Sequence, residues 1–116
     1  ENMNKTIMVV MDKRDDRETI KTLLRKDNYN VITSTNCKNC LEKIKKYKPT
    51  LILIGSFQSR TNILEAVQKI KSVKIVHITT DIKEKENLKL YKNVIGFIEE
   101  PFDIEEFLKK IDKLVN

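Results

Sequence analysis

Apolar residues recur along this chain with two alternating periods, and the alternation predicts a fold. Short runs at 6–11, 29–33, 51–54, 74–78 and 94–98 are rich in Val and Ile and are bounded by polar turns. Strands buried on both faces of a parallel sheet read this way. Between the runs, apolar positions spread to i, i+3, i+4 and i+7, the spacing of an amphipathic helix. Ile20, Leu23 and Leu24 make the first such face. Cys37, Cys40, Leu41 and Ile44 make the second, and Ile63, Ala66, Val67 and Ile70 the third. A fourth segment, 82–92, has only a thin edge from Leu88 and Tyr91. Ile104, Phe107, Leu108, Ile111 and Val115 form the cleanest stripe and close the pattern.

Local signals agree with these elements. Asp15 with Glu18, and Asp103 with Glu106, have capping-box spacing, with Asp in place of Ser or Thr. Asn36 is placed to cap the second helix, and Lys48-Pro49 ends it. The expected architecture is α/β, five βα units with a five-stranded parallel sheet and helices on both faces. Short connections make the crossovers right-handed. With 116 residues and no linker, repeat or low-complexity tract, 3–116 reads as one domain. Glu1 and Asn2, ahead of Met3, read as a cloning remnant.

Composition narrows the function classes. Hydrophobic residues are 40% and charged residues 34%, an ordinary globular balance. The longest apolar runs, such as Ile7-Met8-Val9-Val10-Met11, fall far short of the roughly 20 residues that cross a bilayer. No secretion signal is legible, and two cysteines with one histidine suit a reducing cytoplasmic setting. The net charge of +6 raises the question of a nucleic acid or an anionic membrane. Yet the lysines are spread through every helix among Glu and Asp, and aromatics are only 6%. The run Lys43, Lys45, Lys46 and Lys48 is interrupted by Glu42 and Tyr47 and reads as a solvated helix face. Neither partner class is expected from the sequence.

Motifs at the strand ends carry a resemblance. Ile7-Met8-Val9-Val10-Met11-Asp12 resembles the first strand of a response-regulator receiver domain, which ends in an acidic pair. Lys48-Pro49-Thr50-Leu51-Ile52-Leu53-Ile54-Gly55 is similar to the third strand, which ends in the phosphorylated aspartate. Val76-His77-Ile78-Thr79-Thr80 resembles the fourth strand, ending in Thr or Ser. Gly96-Phe97-Ile98-Glu99-Glu100-Pro101-Phe102 is similar to the fifth strand and its Lys-Pro-Phe turn. The resemblance covers essentially the whole chain and implies a flavodoxin-like fold.

The resemblance also implies a pocket whose chemistry has been lost. Met11 stands at the first acidic position, while Asp12 keeps the second. Gly55 stands at the acceptor position, Thr79 at the hydroxyl position and Glu100 at the lysine position, followed by Pro101 in a turn that is cis in the family. Gly55 has no side chain to phosphorylate, and Glu100 repels a phosphoryl group instead of neutralising it. Mg²⁺ needs near-octahedral oxygen ligands, for which one carboxylate is a poor start. No cofactor is expected, Mg²⁺ included. Asp12 with Glu100, beside Glu99, is the only candidate for a rearranged cation site.

The expected function is that of a degenerate receiver, a pseudo-receiver in a bacterial two-component system. It is expected not to be an enzyme, and to work by phosphorylation-independent contact with a protein partner or a covalently linked output domain. Its contact face is expected around the fourth helix, fifth strand and last helix, with Glu84, Asn87, Phe97 and Glu99 on it. A homodimer through that face is one form of such contact. Two alternatives remain: a rearranged receiver that still switches on a cation or phosphoryl group near Asp12, and a thiol-redox protein using Cys37-Lys38-Asn39-Cys40 at a helix start. His77, inside the fourth strand, reads as a packed core residue.

Overall fold

The structure is a computed structural model and describes residues 4–35, 37–55, 64, 67, 70, 73–80 and 91–116, with side chains from 39 onward in the second helix. Five strands form as the apolar runs predict: β1 (Thr6–Val10), β2 (Asn30–Ser34), β3 (Leu51–Ile54), β4 (Ile75–Thr79) and β5 (Val94–Glu99). All pair in parallel, in the order β2-β1-β3-β4-β5. The order reverses direction between β1 and β3, which opens a crevice at the carboxyl ends of those strands.

Side-chain alternation divides the core in two. Ile7, Val9, Leu51, Leu53, Val76 and Ile78 point to one face and meet α1 (Arg14–Lys26) and the C-terminal helix (Ile104–Val115). Met8, Val10, Ile52, Ile54 and Ile75 point to the other and meet α2 (Cys37–Tyr47) together with Leu64 and Val67. β3 and β4 are buried at every position, so each of their Leu, Ile and Val side chains contributes about 1.5–3 kcal/mol of burial. Tyr29 precedes β2 instead of starting it, and is buried all the same.

The helix ends show where local signals worked. Asp103 caps the C-terminal helix by accepting a bond from the Glu106 amide at 3.1 Å. Phe107, Ile111 and Val115 are its buried stripe, but Ile104 is 53% exposed. It sits in the first turn, ahead of the point where the helix meets the sheet. The Asp15–Glu18 box does not form. The Arg17 amide bonds to the Lys13 carbonyl at 3.0 Å, so the helix begins at Arg14 and Lys13 is its cap residue, without a side-chain cap bond. Asp15 lies inside the first turn, where it still complements the helix dipole. α1 closes through Asn28 in the left-handed region, at φ 70°, a conformation asparagine tolerates. α2 closes at Tyr47, with Lys48 left-handed at φ 47° and its amide bonded to the Ile44 carbonyl at 2.9 Å. Asn36, Ile63, Ala66 and residues 82–90 of the expected fourth helix lie outside the described residues; its last two, Tyr91 and Lys92, lie in the turn before β5. Among the described residues, no helix is long and apolar enough to cross a membrane.

Candidate functional site

The register of β1 and β3 decides what occupies the crevice. Val9 pairs with Leu53 and Val10 with Ile54. The Gly55 amide donates to the Val10 carbonyl at 3.0 Å, so the pairing carries on past the last strand residues. Residues two apart share a face, which puts Met11 and Gly55 side by side on the α1 face. A Cβ on residue 55 would stand 2.8 Å from Met11 Cε, 3.0 Å from its Cγ and 3.5 Å from its Sδ. Carbon atoms pack comfortably at about 3.5–4.0 Å. The Met11 side chain thus fills the space into which a side chain at 55 would grow. Gly55 is buried beneath it, and Met11 is 6% exposed.

The backbone of Met11 is held from both sides. Its amide donates to the Ser34 carbonyl at 3.3 Å. Arg17 Nη1 donates to the Met11 carbonyl at 2.9 Å and to the Asp12 carbonyl at 3.3 Å. A permanently charged guanidinium therefore clamps the loop that carries Asp12.

The β4 and β5 ends build the opposite rim. Thr79 is buried at the end of β4, pairs with Glu99, and accepts the Glu100 amide on its carbonyl at 2.9 Å. The Glu100–Pro101 peptide is cis. Phe102 stacks on Phe107 with ring centroids 4.7 Å apart, which ties this turn to the C-terminal helix.

Between the rims lies a cavity of about 180 Å³ lined by Met11, Asp12, Lys13, Asp16, Ile78, Thr80 and Glu100. A second, of about 250 Å³, shares Met11, Asp16 and Glu100 and reaches Pro101 and Phe102. Four of the expected pocket residues, Met11, Asp12, Glu100 and Pro101, therefore meet in one place. Gly55 forms the buried floor under Met11. Thr79 is buried at the strand end, while the hydroxyl residue on the cavity wall is its neighbour Thr80. Sequence reasoning missed Lys13, Asp16, Arg17 and Thr80. The early start of α1 brings the first three to the rim, and only the failed Asp15 box could have warned of it. Among the described residues, no three His, Cys, Asp or Glu side chains are arranged to hold a metal ion.

The other expected sites are placed as follows. Phe97 is half-buried, its ring centroid 6.5 Å from that of the fully buried His77, and its carbonyl accepts from Lys110 Nζ. With Glu99, Phe102 and Lys110 it borders a cavity of about 300 Å³. Glu84 and Asn87 lie outside the described residues. Cys40 is fully buried in the α2 core, where a thiol is cut off from the exchange partners that redox chemistry needs. The Cys37 side chain lies outside the described residues. Lys43, expected on a solvated face, instead donates to the Thr33 carbonyl and ties α2 to β2.

The architecture is matched by many solved structures. The fold is that of response-regulator receiver domains. The chemotaxis response regulator CheY4 of Vibrio cholerae superposes with a TM-score of 0.83 at 20% identity, over 95% of this chain and 98% of that one. The response regulator TrrA from Thermotoga maritima, in complex with Mg²⁺ and beryllium fluoride, gives 0.82 at 23% identity, over 95% and 98%. A probable two-component response regulator with a GGDEF domain gives 0.86 at 18% identity, over 98% of this chain and 50% of that one. No protein-family model matches the sequence, and no curated protein matches it either. The receiver fold is thus carried by a sequence far from those of the receivers it superposes on.

Proposed function

We propose that this chain is a receiver-like signalling module that acts through protein contact without being phosphorylated, and that it is not an enzyme. One observation carries the reading: Met11 fills the volume that an acceptor side chain at 55 would enter. The residues around it support the same view. A thioether is a soft ligand and does not replace a carboxylate on Mg²⁺. Met11 takes the first position of the acidic pair that the resemblance implies and leaves Asp12 as its one carboxylate. Asp16 and Glu100 on the same cavity add negative charge where a phosphoryl group would need a cation. Such a site is a poor fit to Mg²⁺.

With the chemical trigger absent, the domain is left in one conformation, or in an equilibrium that only a partner can bias. The partner is a protein or a covalently linked output domain, and one structural neighbour joins a receiver to a GGDEF domain. The contact face includes Phe97 and Glu99, next to the cavity bordered by Lys110. The setting is the cytoplasm of a bacterium. The buried Cys40 gives no support to the redox alternative.

Amide-resolved NMR tests this directly. Mg²⁺ and then beryllofluoride are titrated while Asp12, Gly55, Thr79 and Phe97 are followed. No saturable shift at these residues is expected, and no mass gain with acetyl phosphate. Saturable shifts spreading from Asp12 to Phe97 would establish a working, rearranged switch and overturn the proposal.

A further inference from the structure

The lysines that look dispersed in the sequence are gathered by the fold. Lys5 directly precedes β1 and Lys74 directly precedes β4; Lys92 comes two residues before β5 and Lys48 three before β3. Those four strands are consecutive neighbours in the sheet. Each therefore carries one lysine at its amino end. Backbone bonds hold the row in register: the Lys74 carbonyl accepts from the Ile52 amide at 2.9 Å, the Thr6 carbonyl from Thr50 at 2.8 Å and the Asn93 carbonyl from Ile75 at 2.8 Å. With strands about 4.8 Å apart, the row spans roughly 14 Å.

Helices run antiparallel to the strands here, so the last turn of α2 ends at the same edge. It brings exposed Lys45 and Lys46 and the 46% exposed Tyr47, with the Lys46 ammonium 5.2 Å from the Tyr47 ring centroid. The carboxyls at this edge among the described residues, Asp27 and Asp112, are turned inward toward each other and the Tyr29 hydroxyl. Lys5 donates its ammonium to the Asn116 side-chain oxygen, and among the described residues no ion pair neutralises Lys48, Lys74 or Lys92.

Lys48 adds a separate observation. Its left-handed backbone, φ 47°, favours glycine or asparagine and disfavours a lysine. The other non-glycine residue in that region, among the described residues, is an asparagine, Asn28. A strained backbone that keeps the unfavourable side chain points to a function for the side chain.

We propose that the amino edge of the sheet docks the phosphate backbone of a nucleic acid. Ammonium groups on adjacent strands face successive phosphates, and Tyr47 offers a ring for a base to stack on. The linear array selects this partner over a lipid surface. A membrane-bound face buries an apolar stripe, and among the described residues only Tyr47 and Ile95 are large apolar side chains exposed toward this end. The proposal is independent of the receiver reading and of its missing phosphate switch.

Fluorescence anisotropy tests it, with the whole chain and a labelled oligonucleotide, single-stranded and then as a duplex. Binding is expected at about 50 mM salt, with a log–log salt slope near −3 for the single strand, at about 0.7 per lysine–phosphate contact. K48G and K92Q should each lower the slope by about 0.7 and weaken binding several-fold. K48G relaxes a strained position, so its thermal midpoint should be unchanged or higher, which separates lost binding from lost folding. K109Q, on the C-terminal helix, should bind as the wild type does. Absence of salt-dependent binding, wild-type binding by K48G and K92Q, or tighter association with phosphatidylserine vesicles than with the oligonucleotide would each overturn the proposal.

Discussion

On the β1–β3 side of the rim, Met11 closes over Gly55 and Arg17 clamps the loop that follows, while Asp12, Lys13 and Asp16 stand exposed beside them. On the β4–β5 side, Glu100 and Pro101 stand on open cavities, with a cis peptide and a stacked Phe102 setting the turn. The two sides are held by different physics. The first is a packing problem: two residues of the same parity on neighbouring strands share one volume, so a side chain at 55 can grow only if Met11 shifts out of it. The second is a backbone feature, carried by the turn and by the Glu100–Thr79 bond, which persists whichever charge the side chain at 100 bears. A pocket can therefore keep its outline while half of it is converted to core.

Removing Met11 tests that contrast most severely. M11A leaves a cavity over Gly55 with no side chain beneath to fill it. The expected loss is about 2–5 kcal/mol, read from the urea midpoint at unchanged m-value. G55D should cost about 1–3 kcal/mol through overpacking against Met11, and more if its buried carboxyl stays charged. The two positions should also couple. G55A should be destabilising with Met11 present and neutral or stabilising in M11A, an interaction of about 0.5–3 kcal/mol. Strictly additive effects would show that Met11 and Gly55 do not share a volume.

The clamp comes next in size. Arg17 donates to two carbonyls of the Asp12 loop, and it is only half-buried. R17A should lower stability by about 1–2 kcal/mol. R17K should recover less than half of that, because an ammonium lacks the planar fork. Full recovery by lysine would reduce Arg17 to a surface charge. Loss of the clamp should also broaden or shift the Met11 and Asp12 amides while leaving Thr79 and Glu100 in place.

Much of this was legible in the sequence, for identifiable reasons. Strand runs of Val and Ile, bounded by polar turns, located every strand to within a residue, because burial on both faces leaves few alternatives. The C-terminal helix was legible from Asp103 and its stripe, apart from Ile104. The start of α1 was misread because Lys13 closes the first helical bond without any side-chain cap, and Asp15 only imitates one. The pocket positions were legible one by one, but not as a pair. That Met11 covers Gly55 depends on the register of β1 against β3, which no single strand encodes. The lysine row escaped for the same reason: its members are neighbours only through the strand order.

The amino edge supplies the contrast at smallest amplitude, because there a polar cluster, not an apolar one, is closed off. Tyr29 donates its hydroxyl to Asp112, and Asp27 shares the same carboxyl neighbour. Burial, then the bond to Asp112, then repulsion by it raise the Asp27 pKa above the ordinary 3.8. A raised carboxyl means the folded chain holds a proton that the unfolded chain has released. Its stabilising contribution is complete below 3.8 and is lost as pH rises through the folded value. D27N should remove that loss, so its thermal midpoint should gain on the wild type as pH rises above about 4 and then hold a constant lead. Burial likewise pushes the Tyr29 phenol well above 10.0, followed by its bond to Asp112. The stability it confers should fall away only as pH climbs past 10, and Y29F should be flat there. A D27N midpoint that tracks the wild type at every pH would show that the Asp27 carboxyl is solvated, and that the amino edge is open where the β1–β3 rim is closed.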